Sequence, residues 1–97
     1  MTRLRWSPRS VDDLEAIRGF IARDSSPYAD LVIQRIVAAA DRLTRFPEIG
    51  RIVPEVGEPR LRELIVRPFR VVYRIRPDLV EVVTVFRSSR QLPQIVE

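Results

Sequence analysis

Residues 60–90 read RLRELIVRPFRVVYRIRPDLVEVVTVFRSSR, three short apolar runs with arginine set into them at intervals. Leu61 to Val66, Phe69 to Arg76 and Leu79 to Phe86 each have the length of one strand and are rich in β-branched or aromatic residues. Pro77-Asp78 suits a tight turn between the last two, because proline's fixed φ fits the first central position of a type I turn. The stretch therefore predicts a three-stranded antiparallel meander. In the second run Phe69, Val71, Tyr73 and Ile75 alternate with Arg70, Val72, Arg74 and Arg76, so one face is expected to pack inward and the other to present guanidinium groups. In the third, Val80, Val82, Thr84 and Phe86 alternate with Leu79, Glu81, Val83, Val85 and Arg87. It is apolar on both sides, which places it inside the sheet.

Working outward, Thr2 to Trp6 alternates and reads as a short strand ended by Ser7-Pro8. A helix is expected from about Pro8 to Arg23, started by Ser7 or by Ser10, with Val11, Leu14, Ile17, Phe20 and Ile21 as its apolar stripe. Asp24-Ser25-Ser26-Pro27 breaks it and starts a second helix from Pro27 to Phe46, where Pro47 stops it. Residues 47–59, with three prolines and two glycines, read as loop, and 91–97 as a loose tail. These elements make one α+β domain over residues 1–97: a short N-terminal strand, an antiparallel helical hairpin and the meander, with the helices on one face of the sheet. Trp6 and Phe46 are expected in the core.

The eight arginines of the meander face only Glu63, Asp78 and Glu81, so the segment is formally +5 in a chain of net charge +4. Basic character is thus local, and it is entirely arginine, the cation suited to bidentate binding of phosphate or carboxylate. The chain has no lysine, histidine or cysteine. That excludes histidine-dependent hydrolysis, thiolate metal sites and a disulfide framework, and implies no cofactor and no metal. No apolar run approaches the ~20 residues that span a bilayer, and no secretory signal is evident at the N-terminus. A pI near 10.9 points to a polyanionic partner, nucleic acid or an acidic protein.

Several short motifs recur in one order: W-S-P at residues 6–8 with D-L-E-A-I at 13–17, L-x-x-F-P-E-I-G-R at 43–51, R-E-L at 62–64, F-R-V-V-Y-R at 69–74 and V-x-V-F-x-x-S-R at 83–90. With them the whole chain resembles the RelE/ParE superfamily of toxins from bacterial type II toxin–antitoxin modules. The resemblance implies a small cytoplasmic protein that inhibits growth when free and is neutralised, in a hetero-oligomer, by an antitoxin that wraps it. RelE-like members cleave mRNA in the ribosomal A site, whereas ParE-like members poison DNA gyrase. The fold alone does not choose between them.

The candidate catalytic residues are Arg70, Glu63 and Arg87. Arg70 matches the arginine that RelE-like toxins keep on this strand to hold the scissile phosphate; its bland alternative is a solvated cation on an open sheet face. Arg87 stands where many family members carry histidine, and an arginine makes a poor base. Glu63 is either a general base or an ion pair that neutralises crowded arginines. Arg51, Arg60, Arg62, Arg70, Arg74, Arg87 and Arg90 are the candidates for binding target, phosphate or antitoxin, with Arg51 also able to tie its turn to nearby carbonyls. Glu48 and Glu55 read as solvent-facing, and Tyr73 as core. The lack of histidine and lysine, and of tyrosine in the tail, favours a gyrase inhibitor over a ribosome-dependent endoribonuclease. A non-toxic, antitoxin-binding regulatory relative is a third reading.

Overall fold

Ser7 opens the first helix. Its backbone is extended (φ −66°, ψ 158°), its hydroxyl accepts the Ser10 amide, and Pro8 fills the first turn, where a missing N–H costs nothing. Ser10 is not the cap. It is fully buried and donates its hydroxyl to the Ser7 carbonyl.

The computed structural model describes residues 2–95; Met1 and the last two residues of the expected tail lie outside them. The elements run β1 (Arg3–Trp6), α1 (Pro8–Ala22), α2 (Ser26–Asp41), a 3-10 turn (Arg42–Thr44), β2 (Arg51–Ile52), β3 (Leu61–Val66), β4 (Phe69–Ile75) and β5 (Leu79–Arg87). The architecture is α+β as expected, but the sheet is larger than the meander. Five strands lie in the order β1-β5-β4-β3-β2. β5 is interior because β1 pairs with it in parallel, from Arg3 opposite Leu79 to Trp6 opposite Val82. β2 lies antiparallel on β3 inside the segment read as loop; two residues flanked by turns are too short to show a period.

Beyond β1, the start of α1 takes over as the edge of the sheet. The Ser7 amide donates to the Val82 carbonyl at 3.0 Å and the Ser7 hydroxyl to the Val83 carbonyl at 2.9 Å. One turn on, the Asp13 carboxylate accepts the Val85 N–H at 2.9 Å and the Thr84 hydroxyl at 2.6 Å. A helix thus supplies the hydrogen bonds that a neighbouring strand would otherwise give.

Between Val72 opposite Thr84 and Tyr73 opposite Val82, Val83 is an extra residue, a bulge in β5. It reverses the expected alternation of this strand. Val80 and Val82 share the helix side with Val85, while Phe86 packs on the opposite face with Val72. On the helix side Val32, Ile36 and Ala40 of α2 pack on Phe69, Val71, Val82 and Val85. Each buried Val or Ile side chain there contributes about 1.5–3 kcal/mol. The opposite face is not open. Val53, Leu61, Val72 and Phe86 form a second cluster there, against which Leu92 and Ile95 of the C-terminal segment pack.

Two further expectations change. α2 ends at Asp41 and tightens into the 3-10 turn, which sends Leu43 into the core at 0% exposure and leaves Phe46, expected inside, 57% exposed. In α1 only Ser10 is buried; Phe20 is 58% and Val11 43% exposed, so its stripe is only partly covered.

Candidate functional site

β2, β3 and β4 bring Arg51, Glu63 and Arg70 together on the face away from the helices. Pairing sets Glu63 opposite Arg51 on one side and opposite Val72 on the other, with Arg70 two residues along β4 on the same face. The Glu63 side chain is fully buried. One oxygen accepts Arg51 Nε at 2.5 Å, and the other accepts Arg70 Nε at 2.7 Å and lies 2.6 Å from a second Arg70 nitrogen. Glu55, from the loop after β2, closes the cluster by accepting both terminal nitrogens of Arg70 at 2.8 and 2.7 Å. The Phe86 ring lies under the guanidinium, 4.9 Å from its centroid.

The electrostatics follow. The hydrogen bonds from Arg70 hold the Glu55 carboxyl down at about 2, and the same bonds raise Arg70 above the ordinary arginine range. Arg70 is therefore not the solvated cation of an open face. It is 7% exposed and committed to two carboxylates. Of the two readings of Glu63, the ion pair is the one present. Glu55, expected to face solvent, is half of a bidentate clamp.

Tyr73 is fully buried, and its hydroxyl accepts the Gly50 N–H at 2.9 Å. Burial pushes its phenol upward, away from use as a base at neutral pH. Here the backbone must come close: a Cβ on Gly50 would stand 2.6 Å from both the Glu63 carbonyl oxygen and the Tyr73 hydroxyl. Binding to the turn's carbonyls, expected of Arg51, falls to Arg62, which donates to Pro59 at 2.9 Å, Gly50 at 3.0 Å and Glu48 at 3.3 Å. The strand places Arg51 on Glu63's side of the sheet and Arg62 on Tyr73's.

The other candidates lie apart. Arg60 and Arg74 line a cleft with Arg76 at one end of the meander, and Arg87 and Arg90 line a pocket beside α1 at the other. Sequence reasoning missed Glu55, Asp13 and Arg9, whose guanidinium donates to Thr84 and to the Gln94 carbonyl. Glu55 sits in a loop with no period to announce it; Asp13 lies in the D-L-E-A-I motif, the one signal that could have marked it. Among the described residues no group of three or more carboxylates is placed to hold a metal ion, and no helix is long and apolar enough to cross a membrane. Arginines gather at both ends of the meander, and at its centre Glu63 and Glu55 are paired with arginine.

Known proteins resemble this chain in sequence and fold. Residues 4–92 match the family described as the ParE toxin of the type II toxin–antitoxin system parDE. The chain is 35% identical to Y4kP of Sinorhizobium fredii over 97% of its own length and 96% of that protein. It is also 35% identical to Toxin RelE2 of Caulobacter vibrioides, covering 93% of this chain and 99% of that one. A chain of the chromosomal ParDE system from P. aeruginosa superimposes with a TM-score of 0.76 at 24% identity, over 90% of this chain and 96% of that one, and shares the fold. An α+β fold with this sheet order and these relatives defines a toxin of the RelE/ParE class. The chain belongs to the ParE toxin family of type II toxin–antitoxin systems. A cognate antitoxin is the partner that this membership implies.

Proposed function

We propose that this toxin arrests growth without cutting nucleic acid, by poisoning DNA gyrase in the cytoplasm, and that its antitoxin holds it inactive in a hetero-oligomer. The observation that carries this reading is the fully buried Glu63 carboxylate, shared between Arg51 and Arg70. Cleavage at a 2′-hydroxyl needs a group that takes its proton and another that protonates the leaving oxygen. Glu63 is the one carboxylate on the central strands near Arg70, and two guanidinium groups already claim it. Tyr73 is buried, an arginine such as the one at position 87 has no acceptor atom to take a proton, and the chain has no histidine or lysine. Arginines in this setting support binding, not proton transfer.

The test adds purified toxin to gyrase. Supercoiling by gyrase is expected to fall, or cleaved DNA to accumulate, in proportion to toxin. No effect on gyrase together with A-site mRNA cleavage in a translating extract would replace this reading with the endoribonuclease. Expression that does not slow growth would replace it with the regulatory relative.

A further inference from the structure

A cleft of about 450 Å3 opens at the end of the sheet where β3 begins and β4 turns into β5. Arg60, Arg74 and Arg76 line it, and Glu58 is the one carboxylate in the lining. Backbone hydrogen bonds fix the chain that carries the arginines: the Ile75 N–H donates to the Arg60 carbonyl at 2.7 Å, and the Arg76 N–H to the Leu79 carbonyl at 2.7 Å. Arg74 and Arg76 stand two residues apart, about 6.5–7 Å along an extended chain, and the pairing of Leu61 with Arg74 brings Arg60 beside them. The Glu58 carboxylate accepts the backbone N–H of Arg60 at 3.0 Å. Arg5, Arg18, Arg51 and Arg70 are each paired with a carboxylate. Among the described residues Arg60 and Arg76 are exposed and meet no carboxylate within ion-pair distance.

We infer that this cleft binds the phosphate backbone of duplex DNA. A guanidinium fork matches a phosphate group in charge and geometry. The step from Arg74 to Arg76 is close to that between successive phosphates of one DNA strand, so neighbouring phosphates can each meet an arginine. Two observations select this occupant. The rest of the lining is Val56, Leu61, Ile75 and Pro77, with no aromatic ring, whereas a single strand is held by stacking its bases on aromatic side chains and a protein interface centres on aromatic anchors. Three guanidinium groups against one carboxylate suit a partner whose charge repeats at a fixed spacing and whose recognition is electrostatic. The cleft lies apart from the Arg70 cluster and at the opposite end of the meander from Arg87 and Arg90, so DNA can occupy it with the ion pairs of that cluster intact. The inference adds a DNA contact to the gyrase reading, since gyrase holds duplex DNA, but it stands on this chain's own arginines and does not depend on that reading.

The experiment titrates the full-length toxin into a short labelled duplex of mixed sequence at several salt concentrations and reads fluorescence anisotropy. Arg60→Gln, Arg76→Gln and the double variant are compared with Arg23→Gln, which removes the same unit of charge at the end of α1. The side chains at 23, 60 and 76 are all exposed, and matching melting curves establish that each variant is folded. Each cleft substitution is expected to weaken binding about threefold or more and to lower the slope of log affinity against log salt by about 1, the double variant by about 2. Arg23→Gln is expected to stay within about twofold of wild type. Polyglutamate and inorganic phosphate, titrated as competitors at matched ionic strength, are expected to displace the duplex poorly. An unchanged affinity and salt slope in the double variant overturns the inference. So does an equal loss in Arg23→Gln, which would reduce the effect to net charge, or polyglutamate that binds more tightly than the duplex and loses as much in the cleft variants, which would make the partner an acidic protein. The assay contains no gyrase, so a toxin that leaves gyrase untouched can pass it and a gyrase poison can fail it.

Discussion

Arg70 and Glu63 face each other across adjacent strands with 2.6 Å between nitrogen and oxygen, the arginine side chain 9% exposed and the glutamate not exposed at all. Such a pair adds little net stability once desolvation is counted, yet removing one partner strands the other. Arg70→Ala and Glu63→Ala are each expected to lower unfolding free energy by about 3–5 kcal/mol. Urea titration of the purified variants checks this. Loss of toxicity in Arg70→Ala should track loss of folded protein; a variant that melts like wild type yet has lost toxicity would return Arg70 to the role of a contact residue.

Gly50 admits nothing larger. Gly50→Ala is expected to cost about 1–3 kcal/mol or more, because the Glu63 backbone is one of the atoms in the way and cannot swing aside. Tyr73→Phe removes the acceptor of the buried Gly50 N–H and is expected to cost about 1–3 kcal/mol without changing the fold. Thermal melts order the two, and an unchanged melt for Gly50→Ala would refute the close approach.

Acid should weaken the arginine cluster in a defined window. The Glu55 carboxyl is held at about 2 in the folded chain against 4.5 for an ordinary glutamate, so it binds its proton less readily folded than unfolded. Its contribution is therefore complete above about pH 4.5 and is lost as pH falls toward 2. The side chain is 41% exposed, and solvent screening limits the effect to about 1 kcal/mol. Glu55→Gln is expected to flatten the pH dependence of stability in that window. An unaltered acid limb would show that the clamp is open in solution.

Asp13 stitches α1 to the sheet. In Asp13→Ala the Val85 N–H and the Thr84 hydroxyl lose their acceptor, with an expected cost of about 1–3 kcal/mol. Hydrogen exchange should report it locally: the Val85 amide gains rate more than the amides of β4. Equal protection in variant and wild type would deny Asp13 that role.

The meander and the hairpin were legible because period and punctuation agree. Pro8 and Pro27 mark helix starts, and alternation in β4 places every residue on its observed face. The bulge at Val83 was not legible, since one inserted residue leaves composition unchanged while reversing all that follows. The parallel pairing of β1 with β5 is a long-range choice that no local pattern carries. The residue types of the arginine cluster were in view; their partners were not. Arg70 looked solvated because the segment that clamps it, around Glu55, and the one that packs beside it, around Leu92 and Ile95, have no regular structure of their own. Arg87 and Arg90 were marked for charge, whereas the pocket beside them depends on how α1 lies against β5.

The first strand waits for the last. Arg5 on β1 bonds Glu81 on β5, 76 residues away in sequence, and β4 needs the same strand on its inner edge. Closing so long a loop comes late in folding, after the local hairpins. A premature stop just before Leu79 would leave β1 and β4 without their shared neighbour and the helix-side core without Val82 and Val85, and an earlier stop removes more. Alleles truncated there should be uniformly harmless, and among cells that survive expression of the toxin, nonsense and frameshift lesions should spread along the whole gene up to β5. If it arrests growth as proposed, the toxin is, by this connection, inert until β5 has been translated.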